Sequence, residues 1–241
     1  MKSPVFVVVG MHKSGTTLVA RTLHLSGIRM VPTHQNVQSS YDEGGRYEWS
    51  AFNAINRDLL GECASGSLRI NLQRSPTILD NSKARCKSLV AHANTKYRSW
   101  GFKDPRTTLT YPIWRRFLPD HRIVAIYRSP DEVAIHYSRR RSLFLGQVVR
   151  HWSAYNSKII EHLGMSDTSG ILLNFGALMS ETEEWKRFQD FVGCRLVDAR
   201  DASLWRSKCA MSQLHYKTIT STHCADIWHR LETVRARQQR N

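Results

Sequence analysis

The chain has 241 residues, 41% of them hydrophobic, with a formal net charge of +15 and a pI of about 10.0. That is enough for one α/β domain with a substantial core, read here as a single domain over residues 1–241, and no apolar run reaches the roughly eighteen residues of a membrane span. The charge requires an acidic partner, whether nucleic acid, an anionic lipid surface, or a phosphorylated or sulfated small molecule.

The first element is "VFVVV", Val5 to Val9, a strand apolar on both faces and too short for the core of a secretion signal. It runs into the glycine loop "GMHKSG" and then a helix from Thr16 to Leu25. Val31 to Gly45 reads as a long exposed loop, a length that in compact domains marks function or mobility. Helices follow over Trp49 to Leu60 and Ser82 to Tyr97, then the strand "WGF" at Trp100 to Phe102 and a helix over Leu109 to Phe117. "RIVAIY" is the next strand. "SPDEVA" opens a helix from Pro130 to Arg141, with Ser129 as N-cap, proline at the first helical position and two acids in the first turn. "GILLNF" is a fourth strand, and "ETEEWKRFQDFVG" an amphipathic helix closed by Gly193. Buried strands alternating with helices predict an α/β sandwich with a central, mainly parallel sheet of about four to five strands flanked by helices, which the glycine loop after the first strand makes P-loop-type.

The five cysteines are scattered and odd in number, with no C-x-x-C pair, which argues against a disulfide framework or zinc site and fits a reducing cytoplasm. The densest basic stretches are Arg139 to Arg141 and the tail "RLETVRARQQRN", both suited to an anionic membrane surface.

A buried strand that ends in glycine and feeds a helix gathers free backbone N–H groups and the positive helix end at one point, which binds an anion. Gly10 and Gly15 have the spacing of a Walker A loop, but Thr16 stands where its lysine belongs, and Lys13 lies inside the loop instead. "RIVAIY" and "GILLNF" also end without the aspartate that a magnesium-dependent nucleotide enzyme places at a strand tip. A nucleotide kinase and a basic nucleic-acid-binding module remain alternatives, the second lacking a recognition helix or aromatic platforms.

"HKSGTTL", "FKDPRT" and "RIVAIYRSPDEVA" together resemble the sulfotransferases that use 3′-phosphoadenosine-5′-phosphosulfate (PAPS), and "FKDPR" is most similar to the branch of tyrosylprotein and bacterial glycan or natural-product enzymes. The resemblance runs in motif order to about Leu145 and more weakly through "LLNFGALMSETEEWKRFQDFVG". It implies PAPS as co-substrate, no metal, and transfer of a sulfuryl group to a hydroxyl, less readily an amine, of a small-molecule, glycan or lipid acceptor. The 5′-phosphosulfate loop falls on His12, Lys13, Ser14, Gly15, Thr16 and Thr17, with Lys13 bridging the leaving phosphate and the sulfuryl group. The 3′-phosphate arginine falls on Arg128. Eight residues later the family usually has a serine, and here His136 stands, with Arg140 one turn beyond it.

The lysine of K-D-P, matched by Lys103, is the implied stabiliser of the transferring group. Asp104 lies near the catalytic histidine position of the cytosolic branch, but an Asp-Pro pair equally caps the following turn, with Arg106 pairing to it. The base that takes the acceptor proton is, in the resembling branches, a glutamate after the loop. "DEGGRYEWSAFN" offers Glu43 and Glu48, of which Glu48 directly precedes an apolar-periodic helix. His34 and Asp104 are the other candidates. Tyr41, Tyr47 and Trp49 would stack on an acceptor ring or pack in the core.

Overall fold

The computed structural model describes residues 3–32, 45–61, 68–138, 145–201 and 213–240, with the side chains of 138 and 213–223 left aside. Four strands form one sheet: β1 Val5–Val9, β2 Gly101–Lys103, β3 His121–Tyr127 and β4 Ser169–Asn174, in the order β2-β1-β3-β4 and parallel throughout. Val8 lies beside Lys103 on one side and Val124 on the other, and Tyr127 beside Asn174, so the C-terminal ends of all four strands share one edge.

Alternation along the strands builds two cores. Val5, Val7 and Val9 of β1, with Ile123, Ala125 and Tyr127 of β3, face α2 (Ser50–Leu60), α3 (Asp80–Lys96), α4 (Thr107–Trp114), α5 (Pro130–Ser138) and α6 (Leu145–Leu163). Phe6, Val8, Val124 and Ile126 face α1 (Thr16–Leu25), α7 (Phe175–Ser180) and α8 (Thr182–Val192). A final helix, α9 (Gln213–Arg240), packs Cys224 and Leu231 into the first core. Strands buried on both faces need no polar alternation, which is why their apolar runs are legible in the sequence.

The predicted elements appear, with shifted ends. α4 starts at Thr107, earlier than Leu109, because the Asp104 carboxylate accepts the Arg106 N–H at 3.0 Å and the Asp104 carbonyl accepts that of Thr107 at 2.8 Å, tightening the turn ahead of the helix. Pro112 sits inside α4 and cannot donate to the Thr108 carbonyl four residues back. That orphan is taken by buried His162 Nε2 at 2.8 Å, so the proline is accommodated by a residue of α6.

α6, α7 and α9 are additions to the expected elements. Val148, Trp152, Tyr155 and Ile159 give α6 a readable helical spacing, whereas α7 has six residues, too few to display a period. The loop expected from Val31 begins buried, with Val31 0% exposed, and residues 33–44 lie outside the described residues. Among the described residues, no helix is long and apolar enough to cross a membrane.

Candidate active site

The anion loop lies at the C-terminal edge of β1. Gly10 is pinned by α4, its N–H donating to Thr108 Oγ1 at 2.9 Å while that hydroxyl donates to its carbonyl at 3.3 Å. Lys13 and Gly15 have φ of 73° and 99°, the Ser14 N–H closes a turn by donating to the Met11 carbonyl at 3.1 Å, and α1 begins directly after Gly15, so its first-turn N–H groups head the loop. Gly15 is required there, since a Cβ would stand 2.3 Å from Phe175 Cδ2. The Ser14 hydroxyl is fully buried with no hydrogen-bond partner, a cost of about 1–3 kcal/mol that an oxyanion ligand in the loop would relieve.

β1 is connected towards β2 and β3 towards β4, so the connections turn to opposite sides between the parallel neighbours β1 and β3, the place where open parallel sheets bind ligands. The loop after β1 and Arg128 after β3 flank that place. Arg128 donates to the Lys13 carbonyl at 3.5 Å and to Glu132 at 3.2 and 3.4 Å, with its guanidinium 4.4 Å from the centre of the Phe175 ring. Trp152 Nε1 holds the Arg128 carbonyl at 2.9 Å.

On the other side of β1, Lys103 ends β2 almost wholly buried. Its ammonium donates to Glu48 at 2.7 Å and to the Thr17 hydroxyl at 3.2 Å. Glu48 lies just ahead of α2, between Tyr47, whose φ is 52°, and the buried N-cap Trp49. Its second oxygen accepts from Asn53 at 2.9 Å. Burial pushes the Glu48 carboxyl up, but the charge of Lys103 and the hydrogen bonds from Lys103 and Asn53 outweigh it, leaving the group below the usual carboxylate range.

Asp104, 0% exposed, forms the turn-capping contacts. Its oxygens accept from Asn56 at 3.0 Å and from the Arg106 amide at 3.0 Å and guanidinium at 3.3 Å. Burial and the charge of Glu48 raise its pKa against the pull of Arg106 and these hydrogen bonds. Asn56 continues the network, donating to Thr107 Oγ1 and accepting from Thr110 and Trp114 at 2.6 and 2.7 Å. This buried lattice fixes α2 against α4 and so fixes Glu48 against Lys103.

His12 stands among Lys13, Glu48, Lys103 and Arg106, with its ring edge-on to Tyr155 at 6.1 Å and Nδ1 buried without a hydrogen-bond partner. Burial, then Arg106, with Lys103 and Lys13 adding, lowers its pKa to about 3, so the imidazole is neutral.

The predicted residues His12, Lys13, Ser14, Gly15, Thr16, Thr17, Glu48, Lys103 and Arg128 are thus gathered along one sheet edge. His136 lies on α5 two turns beyond Arg128, its described ring contact being Tyr137 at 6.1 Å. His34, Tyr41, Glu43 and Arg140 lie outside the described residues. Tyr47 and Trp49 are core residues, 5% and 4% exposed, Trp49 packing on Phe52 and Trp100. Asn53, Asn56 and Phe175 are contributors that the motifs do not reveal. For Asn56 a signal exists, a polar residue among the apolar positions Phe52, Ile55 and Leu59 of α2.

A family model described as the Sulfotransferase family matches residues 4–187. No curated protein matches the sequence. Among solved structures, a sulfotransferase from Alicyclobacillus acidocaldarius is similar at 15% identity and a TM-score of 0.59, covering 100% of both chains. Sulfotransferase STF9 from Mycobacterium avium gives 11% identity and 0.56 over 95% of this chain and 77% of that one. A sulfotransferase domain from the curacin biosynthetic pathway gives 11% and 0.52 over 92% and 98%. At these identities the likeness is one of fold.

Proposed function

The chain belongs to the sulfotransferase family, and we propose that it transfers the sulfuryl group of PAPS to a hydroxyl, in preference to an amine, of a small-molecule, glycan, lipid or natural-product acceptor. The observation that carries this reading is the meeting of Lys103 with Thr17 and Glu48, residues 86 and 55 positions away, within 3.2 Å beside the anion loop. A phosphate cradle alone suits many nucleotides. A second lysine, this one buried and paired to a carboxylate, suits transfer of an anionic group to an acceptor that must lose a proton.

The residues present fit such a donor. The buried Ser14 hydroxyl lacks a partner, the first-turn N–H groups of α1 head the loop, and Lys103 brings its ammonium to the Thr17 hydroxyl at 3.2 Å. When bound, the donor supplies a sulfuryl group already joined to a phosphate leaving group. Lys13 and the loop amides hold the 5′ end, and Arg128, after the neighbouring strand β3, takes the 3′-phosphate in exchange for Glu132. His136 and Arg140 are the candidates for further 3′-phosphate contacts.

Lys103 stabilises charge that develops on the sulfuryl oxygens. Glu48 is ionised and therefore able to take the acceptor proton, although its pairing with Lys103 keeps it a weak base. An anion that draws the Lys103 ammonium away leaves burial opposed chiefly by Asn53, and the basicity of Glu48 rises as the donor site fills.

Thermal-shift measurements test the donor assignment. Adenosine 3′,5′-bisphosphate raises the melting temperature by mass action, while AMP, ATP with magnesium and an oligonucleotide do so much less. Arg128→Ala weakens the bisphosphate by about 2–3 kcal/mol and AMP little, the scale of a charge-assisted contact. Equal shifts with AMP and the bisphosphate would refute the role of Arg128.

A further inference from the structure

The family model ends at residue 187, yet α9 reaches back to the strand ends that carry the donor site. One row of this helix, Glu232, Arg235 and Gln238, is spaced one residue per turn and faces β4, an edge strand of the sheet. Gln238 Nε2 donates to the Gly170 carbonyl at 3.0 Å, and its Oε1 accepts the Leu172 N–H at 2.8 Å. Arg235 pairs with the fully buried Glu184, whose other contacts are Arg187 and the Asn174 N–H. Side chains therefore satisfy the edge that a missing strand would otherwise pair.

From Gln238 to Glu232 the contacts advance from Gly170 and Leu172 to Asn174, so α9 runs antiparallel to β4 and brings Glu232 to the site end of the sheet. One carboxylate oxygen of Glu232 accepts from both the Tyr127 hydroxyl and Asn174 Nδ2, the latter at 3.1 Å. These are the last residues of β3 and β4. Tyr127 precedes Arg128. Asn174 precedes Phe175 and caps α7 by accepting the Ala177 N–H at 3.1 Å. Phe175 in turn lies under the Arg128 guanidinium and against Gly15. Trp228, one turn before Glu232, packs on Tyr127 and Trp152, the residue that holds the Arg128 carbonyl. Burial and then the Glu232 hydrogen bond keep the Tyr127 phenol protonated, so it remains a donor in this bridge.

We propose that Glu232 is a positioning residue of the donor site: Tyr127 and Asn174 are already neighbours in the β3–β4 ladder, and by tying their side chains to one carboxylate oxygen it fixes how the chain leaves the two strands towards Arg128 and Phe175, and so aims the guanidinium at the 3′-phosphate. This rests on the donor reading given above. Without Glu232, the buried Tyr127 hydroxyl and the half-buried Asn174 amide lose this acceptor where the chain leaves β3 and β4, and the arginine is freed from one side of its mount.

Titration calorimetry of wild type, Glu232→Ala, Glu232→Gln and Tyr127→Phe with adenosine 3′,5′-bisphosphate and with AMP tests this. A simple loss of stability would move both ligands together, whereas misaimed Arg128 moves only the one with a 3′-phosphate. In Glu232→Ala, bisphosphate affinity falls about tenfold and AMP affinity by less than about threefold, the scale of losing a residue that orients a ligand contact. Glu232→Gln keeps an oxygen able to accept from both groups and restores the wild-type ratio to within about threefold. Tyr127→Phe removes one of the two contacts and contracts the ratio partially. An unchanged ratio in a folded Glu232→Ala overturns the proposal, and should that variant not fold, an unchanged ratio in Tyr127→Phe does so. If wild type itself does not prefer the bisphosphate to AMP, the donor reading fails and this inference with it; a wild-type preference that survives every variant removes the inference alone.

Discussion

Replacing His12 by Asn tests how closely the site's cations are gathered, because the imidazole is the neutral group they surround. Lys13 reaches it from its own loop, Lys103 from β2, Arg106 from the turn before α4 and Glu48 from the segment before α2, with the Tyr155 ring on the α6 side. Burial and these cations take its pKa from 6.5 in an open chain to about 3, Glu48 opposing them. Between those values the unfolded chain binds a proton that the folded chain refuses, so this group lowers stability as pH falls from 6.5 towards 3. Each pH unit in that window is worth about 1.4 kcal/mol, hence about 2 kcal/mol between pH 6.5 and 5. His24, His151 and His162 are also held below their ordinary value, so wild type loses more than this, and only the difference between the two chains isolates His12. Asn does not titrate. Urea unfolding at pH 7.5, 6 and 5 should show His12→Asn gaining about 2 kcal/mol on wild type by pH 5, with unchanged m. Saturating adenosine 3′,5′-bisphosphate should shrink that gain, since an anion beside Lys13 and Lys103 lets His12 accept a proton. Parallel losses of stability in the two chains would refute the arrangement.

Glu48→Gln should keep bisphosphate affinity within about threefold of wild type while turnover with an accepted substrate falls roughly a hundredfold, the usual scale for losing a positioned base; full activity would return the role to His34 or Asp104. Lys103→Ala should chiefly lower turnover, and Lys13→Ala both turnover and affinity, read as the separation of kcat from KM. Gly15→Ala forces a side chain into φ 99° and into the Phe175 ring, and should cost roughly 3 kcal/mol in urea unfolding and abolish the bisphosphate-induced thermal shift; a variant that binds normally would mean that the loop does not rest on Phe175.

What the sequence discloses of this fold follows from burial. β1, β3 and β4 are covered on both faces, so their apolar runs are continuous and their parallel pairing can be inferred. β2 has three residues, and its reading as "WGF" misses Lys103 as the strand's last residue because a lysine at the end of an apolar run looks like its boundary. α9 mixes Trp228 and Leu231 with arginines and glutamines that pair with an edge strand, and a helix whose polar side is also engaged has no clear apolar stripe to read.

The site divides along the same physical line. Lys13, Lys103 and Arg128 are picked out by the resemblance of "HKSGTTL", "FKDPRT" and "RIVAIYRSPDEVA", and the fold explains why such short motifs suffice: Lys103 ends β2 and Arg128 directly follows β3, so the sheet itself delivers both to its C-terminal edge, with Lys13 in the loop after β1. Glu48 is preferred to the other candidates in the sequence only for its place directly ahead of a helix, because the partners that hold it are a lysine 55 residues away and an asparagine on that helix. Asp104 shows the converse, a charged residue beside the catalytic motif whose oxygens are taken up by Asn56 and Arg106. The position of a carboxylate next to a motif therefore does not assign its chemistry; the partners that leave it exposed to a substrate proton or consume its lone pairs do. By that criterion Glu48, partly exposed and held by Lys103, is the carboxylate in this cluster that we propose as the base, its basicity expected to rise when an anionic donor draws that lysine away.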